Sequence, residues 1–291
     1  MNLSAWIMAA RPRTLSLSMT PVAVGTAVAW AGERTVHWLA VAAALIASAL
    51  IQLGTNLHND AADAERGGDG PDRIGPPRAT ASGLLSAVNV CRGAIASFAI
   101  AAMMGLYLIH VGGWPILLLG ILSIASGWGY TGGPYPIAYT PLGEVFVVAF
   151  FGVVAVSGTY LLCTGHVTSA AVIAGLAVGS LTAAVLLVNN YRDVEEDARV
   201  GRRTLPIAVG PHSTVRIYAG LMLLPFALLP VIAHLLPRGY VWPAVIALPF
   251  AIVLIYRFAH NSRGPIFNQI LVQTVKMQLL FSGLLSLGLA L

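Results

Sequence analysis

The chain has 291 residues, of which 57% are hydrophobic and only 9% are Asp, Glu, Lys or Arg. Soluble domains carry about 25% charged residues, so this composition excludes an ordinary soluble protein and favours an all-α, polytopic membrane protein. The net charge of +5 comes from arginines at the ends of apolar runs, mixed with acids, which argues against nucleic-acid binding. The two cysteines match no disulfide or metal-binding pattern.

Nine apolar stretches each approach the roughly 20 residues that a helix needs to cross about 30 Å of hydrocarbon. Because backbone polar groups must be paired inside a membrane, we interpret these stretches as helices. They predict one bundle of nine transmembrane helices, with residues 1–291 forming a single domain. The predicted spans are 15–31, 37–57, 87–109, 114–131, 143–163, 168–190, 213–235, 240–258 and 270–290.

The distribution of positive charge orients this bundle. With nine spans, the N-terminus and the loops after spans 2, 4, 6 and 8 share one side of the membrane. Fourteen of the sixteen lysines and arginines lie on that side or at span ends facing it, and only Arg34 and Arg238 lie on the other. Because cytoplasmic loops are enriched in Lys and Arg, we expect this side to face the cytoplasm from the inner (cytoplasmic) membrane.

Nine of the eleven carboxylates fall in two short clusters on the predicted cytoplasmic side. An asparagine in the preceding apolar run, Asn56 or Asn189, stands one helical turn before each cluster. The spacings i, i+4, i+7 and i, i+4, i+8 place each asparagine and two acids on one helix face. The clusters are Asp60, Asp63, Glu65, Asp69 and Asp72 after span 2, and Asp193, Glu195, Glu196 and Asp197 after span 6.

Clustered carboxylate and amide oxygens suggest a metal site. They are hard ligands that suit Mg²⁺, and polar residues at the depth of a membrane span usually face a cavity. One cluster by itself is equally well explained as a solvated loop, but the pattern occurs twice. Two clusters that face each other would hold Mg²⁺ bridged to a diphosphate.

Further motifs lie at the ends of the predicted spans. They are 11–15, 56–60 with Asp63 and Asp69, 72–76, 130–134, 143–144, 150–152, 189–193 with Asp197, 204–205, and Asn268, Thr274, Leu284 and Leu285. Together these segments resemble the UbiA superfamily of intramembrane aromatic prenyltransferases over nearly the whole chain. They are most similar to its 1,4-dihydroxy-2-naphthoate polyprenyltransferase branch. The chain departs from the superfamily pattern at Gly67, and Arg202 or Arg203 replaces a usual lysine.

The resemblance implies a UbiA-like bundle around a central cavity and an enzyme of menaquinone biosynthesis. Its expected reaction transfers a polyprenyl group from polyprenyl diphosphate to dihydroxynaphthoate with loss of CO₂, giving a demethylmenaquinone precursor. The expected partners are these two substrates and the lipid bilayer, and the expected cofactor is Mg²⁺, as two ions. The metal ligands that the resemblance implies are Asn56, Asp60, Asp63, Asn189, Asp193 and Asp197.

The resemblance also suggests roles for residues around the metal. Candidate catalytic residues are Asp60, Asp193 and Tyr130, with Tyr130 facing the bond that breaks or serving only as an interfacial tyrosine. Glu144 and Tyr139 are candidates for binding the aromatic acceptor. The candidate diphosphate-binding residues are Arg11, Arg73, Arg78 and Arg202, each alternatively a cytoplasmic anchor, together with Asp69 if its loop folds back.

Two other interpretations stay open from sequence. Within the same class, the acceptor could be hydroxybenzoate, homogentisate or a natural-product phenol. In a different class, intramembrane Asn and Asp could coordinate ions in a transporter or channel. A transport path needs polar groups at mid-depth and beyond, whereas the acids here lie at one membrane face.

Overall fold

The computed structural model describes residues 2–67 and 73–291, and within them the protein is helical, with no β-strand. The predicted all-α class is therefore confirmed. A short helix opens the chain and longer helices follow. The helices are α1 (Leu3–Ala10), α2 (Pro12–Glu33), α3 (Trp38–Glu65), α4 (Ala87–Gly129), α5 (Gly143–Val148), α6 (Ala155–Thr164), α7 (Ser169–Arg192), α8 (Val194–Arg199), α9 (Leu205–Leu235), α10 (Leu248–His260) and α11 (Ile266–Ala290).

Among the described residues, eight helical segments are long and apolar enough to cross a membrane, one fewer than predicted. The difference lies in α4, which joins the predicted spans 87–109 and 114–131. Gly113 breaks this helix with φ 71° and ψ −160°, and Pro115 follows. Phe98 on the first arm packs edge-on against Trp128 on the second, with ring centroids 6.2 Å apart. The two arms therefore run antiparallel, and α4 divided at Gly113 gives the nine predicted spans.

Helix α7 lies at the centre of the bundle, and most of its residues are buried. Small residues allow neighbouring helices to approach it closely. Gly152 lies in a π-helical segment, Ala149–Val154, that connects α5 to α6. A Cβ at Gly152 would lie only 2.4 Å from the carbonyl oxygen of Gly175 on α7. The glycines thus permit backbone contact, as small residues do between membrane helices.

Candidate active site

The first acidic cluster lies on the last turns of α3, where Asn56, Asp60 and Asp63 are all buried. The Asp60 carboxylate accepts hydrogen bonds from the backbone N–H groups of Ala79 (3.2 Å) and Thr80 (2.9 Å). Asp60 therefore fixes the turn around Ala79 and Thr80, which follows the loop after α3. Each carboxylate oxygen retains a lone pair after these bonds, so a metal ligand role for Asp60 stays compatible with the geometry.

Asp63 is neutralised by two arginines from different parts of the chain. Its Oδ2 accepts a hydrogen bond from Arg78 at 2.9 Å, and its Oδ1 accepts one from Arg202. Arg78 and Asp63 are both buried. Because an unpaired carboxylate is costly away from water, these arginines supply the positive charge that the buried acid requires.

The second cluster continues α7 almost without interruption. The helix ends at Arg192, but the backbone N–H of Asp193 still donates to Asn189 (3.1 Å), and that of Asp197 donates to Asp193 (2.8 Å). These i to i+4 bonds preserve the helical register into α8. Asn189, Asp193 and Asp197 therefore share a face, as their spacing predicts.

Arg192 neutralises Asp193 within this cluster. It donates to both carboxylate oxygens at 2.6 Å, to the side-chain oxygen of Asn189 at 3.0 Å, and to that of Asn268 at 2.9 Å. Asn268 in turn donates to the backbone oxygen of Ile74. Arg192 therefore ties the end of α7 to α11 and to the loop after α3.

Arg202 brings the two clusters together. Its guanidinium donates to Asp63 at the end of α3 and to Asp197 in α8, the latter at 3.1 Å. A second ion pair, Arg73 with Glu196 at 2.8 Å, joins the same two regions. The two helix ends, distant in sequence, therefore meet at one end of the bundle. Arg202 rather than Arg203 makes these contacts, whereas Arg203 bonds through its backbone N–H to Tyr139.

In both clusters, arginine side chains supply the positive charge that balances the buried carboxylates. Within the described part of the chain, no three His, Cys, Asp or Glu side chains are already grouped as a metal site. Five of the six predicted ligands are nevertheless buried and Asn189 is half-buried, and their carboxylate and amide oxygens are the ligands that Mg²⁺ prefers. The residues present therefore fit Mg²⁺, provided that arginines such as Arg202 release their carboxylates.

Arg11 near the first cluster is repelled by two other arginines. Burial, and then the positive charges of Arg78 and Arg73, lower the pKa of Arg11 to about 9, while Asp63 and Asp60 oppose this shift. Arg11 lies at the junction of α1 and α2 with a left-handed backbone (φ 50°). Like charges this close favour a bound anion between them. The predicted diphosphate contact Asp69 lies outside the described residues.

Burial raises the pKa of Asp197 to about 6; Arg202 opposes this shift and Asp193 adds to it. Burial also lowers the pKa of Arg202, but its contacts with Asp63 and Asp197 outweigh this, so its pKa is raised overall. Arg202 is therefore always charged in this setting. The raised pKa of Asp197, by contrast, brings its titration closer to neutral pH than that of an ordinary aspartate.

An apolar cavity of about 370 Å³ extends away from the two clusters, between α3, α4 and the α5–α6 span. Tyr130, which ends α4, lines it, and so do Gln52 and Thr55 of α3, which precede the first cluster. Burial, and then the charge of Glu144, raise the pKa of Tyr130, so its hydroxyl stays protonated. The apolar cavity therefore begins on α3 within one helical turn of Asn56, which precedes the acids of the first cluster.

The two predicted acceptor-binding residues occupy different surroundings. The Tyr139 ring packs against the guanidinium groups of Arg202 (5.0 Å from ring centroid to Cζ) and Arg66 (5.3 Å). Glu144 is buried on α5, and its Oε1 accepts a hydrogen bond from Asn190 at 2.9 Å. Its Oε2 is buried without a hydrogen-bond partner among the described residues. An acceptor-binding role for either residue stays a prediction.

Several contacts at this site are not apparent from the sequence motifs. Arg192 could have been found, because a buried arginine directly before Asp193 needs an acid partner. Gln52 stands one helical turn before Asn56 on the same face, and its Nε2 donates to Asn56 at 3.0 Å. The turn around Ala79 and Thr80 offered no comparable signal, since its role depends on backbone N–H groups.

The comparisons with known proteins agree with this geometry. The family model described as the UbiA prenyltransferase family matches residues 18–270, which is most of the chain. The chain belongs to the UbiA prenyltransferase family. The long apolar helices of its described residues, together with its family membership, make it a multi-pass membrane protein.

Two relatives within this family are named 1,4-dihydroxy-2-naphthoate octaprenyltransferase. The Haemophilus influenzae protein is 33% identical over 99% of this chain and 96% of its own length. The Mycobacterium tuberculosis protein is 38% identical over 76% of this chain and 75% of its own length. A solved UbiA homologue from Archaeoglobus fulgidus, bound to DMAPP and Mg²⁺, has a TM-score of 0.71 at 16% identity and covers 98% of both chains. That likeness confirms the UbiA fold.

Proposed function

We propose that this chain transfers a polyprenyl group from polyprenyl diphosphate to 1,4-dihydroxy-2-naphthoate, with loss of CO₂, in menaquinone biosynthesis. The observation that supports this most directly is the meeting of two acidic helix ends, bridged by Arg202, beside an apolar cavity. A polyprenyl diphosphate has a charged head and an apolar tail, which match these two regions. The two naphthoate prenyltransferase relatives identify the acceptor.

We propose further that the metal is Mg²⁺, as two ions. When bound, Mg²⁺ neutralises the negative charge that develops on the departing diphosphate. The opposed faces of α3 and of α7 with α8 supply oxygen ligands of the required kind. The proposed ligands are Asn56, Asp60, Asp63, Asn189, Asp193 and Asp197.

The arginines bind and orient the diphosphate in this proposal. Arg73 and Arg78 lie close enough to Arg11 to lower its pKa, so an anion placed beside Arg11 relieves this repulsion. Arg202 now binds Asp63 and Asp197, and it would turn from these acids to the diphosphate when the metal takes its place. Arginine suits this task because its planar fork binds phosphate oxygens in pairs.

The cavity holds the apolar parts of both substrates. Its protonated Tyr130 hydroxyl can donate a hydrogen bond near the bond that breaks, and its ring face can stabilise positive charge on the allylic carbon. The electron-rich ring of the acceptor then attacks that carbon. We propose that this reaction takes place on the cytoplasmic side of the inner membrane, because the bias of arginines predicts that side for both clusters. We also propose that the whole chain forms one domain.

The test uses purified protein in detergent with Mg²⁺, 1,4-dihydroxy-2-naphthoate and an isoprenyl diphosphate. We expect prenylated, decarboxylated naphthoquinol and released diphosphate, and no product after chelation of the metal. Hydroxybenzoate and homogentisate serve as competing acceptors. Turnover of one of these phenols, without turnover of the naphthoate, would contradict the proposed acceptor.

A further inference from the structure

Gln52 lines the apolar cavity with a polar side chain whose hydrogen bonds are incomplete. It is half-buried, lines the cavity on α3, and stands one turn before Asn56. Its side-chain oxygen Oε1 is buried and has no hydrogen-bond partner among the described residues. A buried amide oxygen without a partner is unfavourable, so this atom is suited to accept a hydrogen bond from a ligand.

Three other hydroxyl groups of the cavity wall already have backbone partners. The hydroxyl of Thr55 donates to the backbone oxygen of Ile51 at 2.9 Å, and that of Thr159 donates to Ala155 at 2.8 Å. The hydroxyl of Ser18 donates to Leu15 at 2.9 Å. These side chains are satisfied within their own helices, whereas Gln52 presents an acceptor atom that is not.

A chain of hydrogen bonds fixes the direction of the Gln52 amide. Asn56 donates through its Nδ2 to the backbone oxygen of Ala10 (2.8 Å) and to the hydroxyl of Thr14 (3.0 Å). Its Oδ1 therefore faces Gln52 and accepts from Nε2. Because Nε2 and Oε1 branch from the same carbon, Oε1 lies on the side of the amide away from Asn56.

We infer that Gln52 determines acceptor specificity by accepting a hydrogen bond from a ring hydroxyl of the dihydroxynaphthoate at its Oε1. This inference rests on the proposed function and adds a specificity residue to it. The apolar walls enclose the fused ring, and Gln52 selects a ring that carries a hydroxyl at this depth. Sites that hydrogen-bond a substrate hydroxyl reject analogues lacking it, because the buried partner is then left unpaired.

The test measures binding of three naphthoates to the full-length protein in the presence of Mg²⁺ and inorganic diphosphate. The ligands are 1,4-dihydroxy-2-naphthoate, 1-hydroxy-2-naphthoate and 4-hydroxy-2-naphthoate, each followed by its fluorescence. We expect the wild type to bind the dihydroxy compound at least about tenfold more tightly than one of the two monohydroxy compounds. Gln52→Met should lower that preference to less than about twofold, with little change for the weaker ligand.

Gln52→Glu separates the two contacts of this side chain, because it retains an oxygen acceptor and replaces the Nε2 donor to Asn56. We expect it to restore most of the preference. Thr182→Val, a buried polar-to-apolar change on α7 away from the cavity, should behave as the wild type. If Gln52→Met keeps the wild-type preference, Gln52 is not the partner of the hydroxyl. If the wild type binds no naphthoate but prenylates another phenol, the proposed function itself fails.

Discussion

The acidic end of the bundle and the cavity beside it are built on opposite principles. At the acidic end, arginines pair with the buried carboxylates of Asp63, Asp193 and Asp197. In the cavity, apolar side chains surround open space, and a Cβ at Gly105 or Gly120 would meet no atom within 4 Å. One region is charge-compensated and the other is left open.

In the proposed function, the two halves of the substrate are therefore recognised by separable means. In the proposed function, charge controls the binding of the metal and the diphosphate, because substitution of a paired residue there unbalances a buried ion pair. In the same proposal, volume controls the binding of the tail, because the cavity wall offers it few polar contacts. Substitutions at the acidic end should therefore leave binding of the prenyl tail intact, and substitutions in the cavity should leave binding of the metal and the diphosphate intact.

The largest effect is expected from neutralising the acids. Asp193→Asn and Asp60→Asn should each lower turnover by about 10²- to 10³-fold, the usual cost of removing a group that stabilises transition-state charge. Asp60→Asn should also lower the free energy of unfolding by about 1–3 kcal/mol, because Asp60 holds the backbone of Ala79 and Thr80. Steady-state kinetics and thermal unfolding in detergent measure the two effects.

Glu195→Gln is the matched control for both variants. Glu195 belongs to the same acidic cluster, but its side chain is exposed. We expect its turnover and melting temperature to equal those of the wild type. Loss of activity in Glu195→Gln would indicate that general negative charge on this surface, rather than the two opposed faces, supports the reaction.

Arg202→Gln should change the binding of metal and of diphosphate in opposite directions. Without Arg202, Mg²⁺ no longer competes with a guanidinium for Asp63 and Asp197, so the Mg²⁺ dissociation constant measured alone should fall about tenfold. The affinity for prenyl diphosphate should weaken by a similar factor, because a phosphate-binding group is lost. Isothermal titration calorimetry measures both constants.

The exposed neighbour provides the comparison for this variant. Arg203→Gln should alter neither constant, since the side chain of Arg203 is exposed. Its hydrogen bond to Tyr139 is made by the backbone N–H, which the substitution retains. If Arg202→Gln weakens the binding of Mg²⁺ alone, then Arg202 supports the metal site rather than competing with it.

Local patterns predicted the parts of this site that depend on helix periodicity. The apolar runs predicted the spans, and the four-residue spacing of Asn56 and Asp60 placed both on one face of α3. Even the extra predicted span reflects a real break, at Gly113. These features follow from residues within a few turns of each other, which is the range that periodicity reports.

The contacts between distant segments could not be predicted in the same way. Nothing in the spacing of residues pairs Arg202 with Asp63, or directs the Asp60 carboxylate to the backbone of Ala79 and Thr80. Such contacts depend on how the helix ends pack and on backbone groups that every residue possesses. The sequence therefore indicates which residues are needed, while the structure determines their partners.

The pH dependence of metal binding should follow Asp197. Its pKa is raised from 3.8 to about 6 in the folded protein, so protonation is favoured by folding. Without metal, its contribution to stability is present below pH 3.8 and is lost as the pH rises through about 6. Because Mg²⁺ needs the charged carboxylate, its affinity should fall several-fold from pH 7 to pH 5. Asp197→Asn should remove most of this dependence, and an unchanged profile in this variant would assign the titration to another group.

The smallest effect is expected in the cavity. Gly120→Leu should place a side chain in the open space that this glycine borders. Turnover should then fall about two- to fivefold more with long prenyl donors than with short ones. This factor corresponds to roughly the free energy of burying one or two methylenes. Binding of Mg²⁺ and inorganic diphosphate should stay at the wild-type level. Gly220→Leu is the control, because a Cβ at Gly220 on α9 would likewise meet no atom within 4 Å, but Gly220 does not line the cavity. If Gly120→Leu weakened metal binding while leaving chain-length preference unchanged, the separation between charge and volume would not hold, because the cavity wall would then be supporting the acidic end.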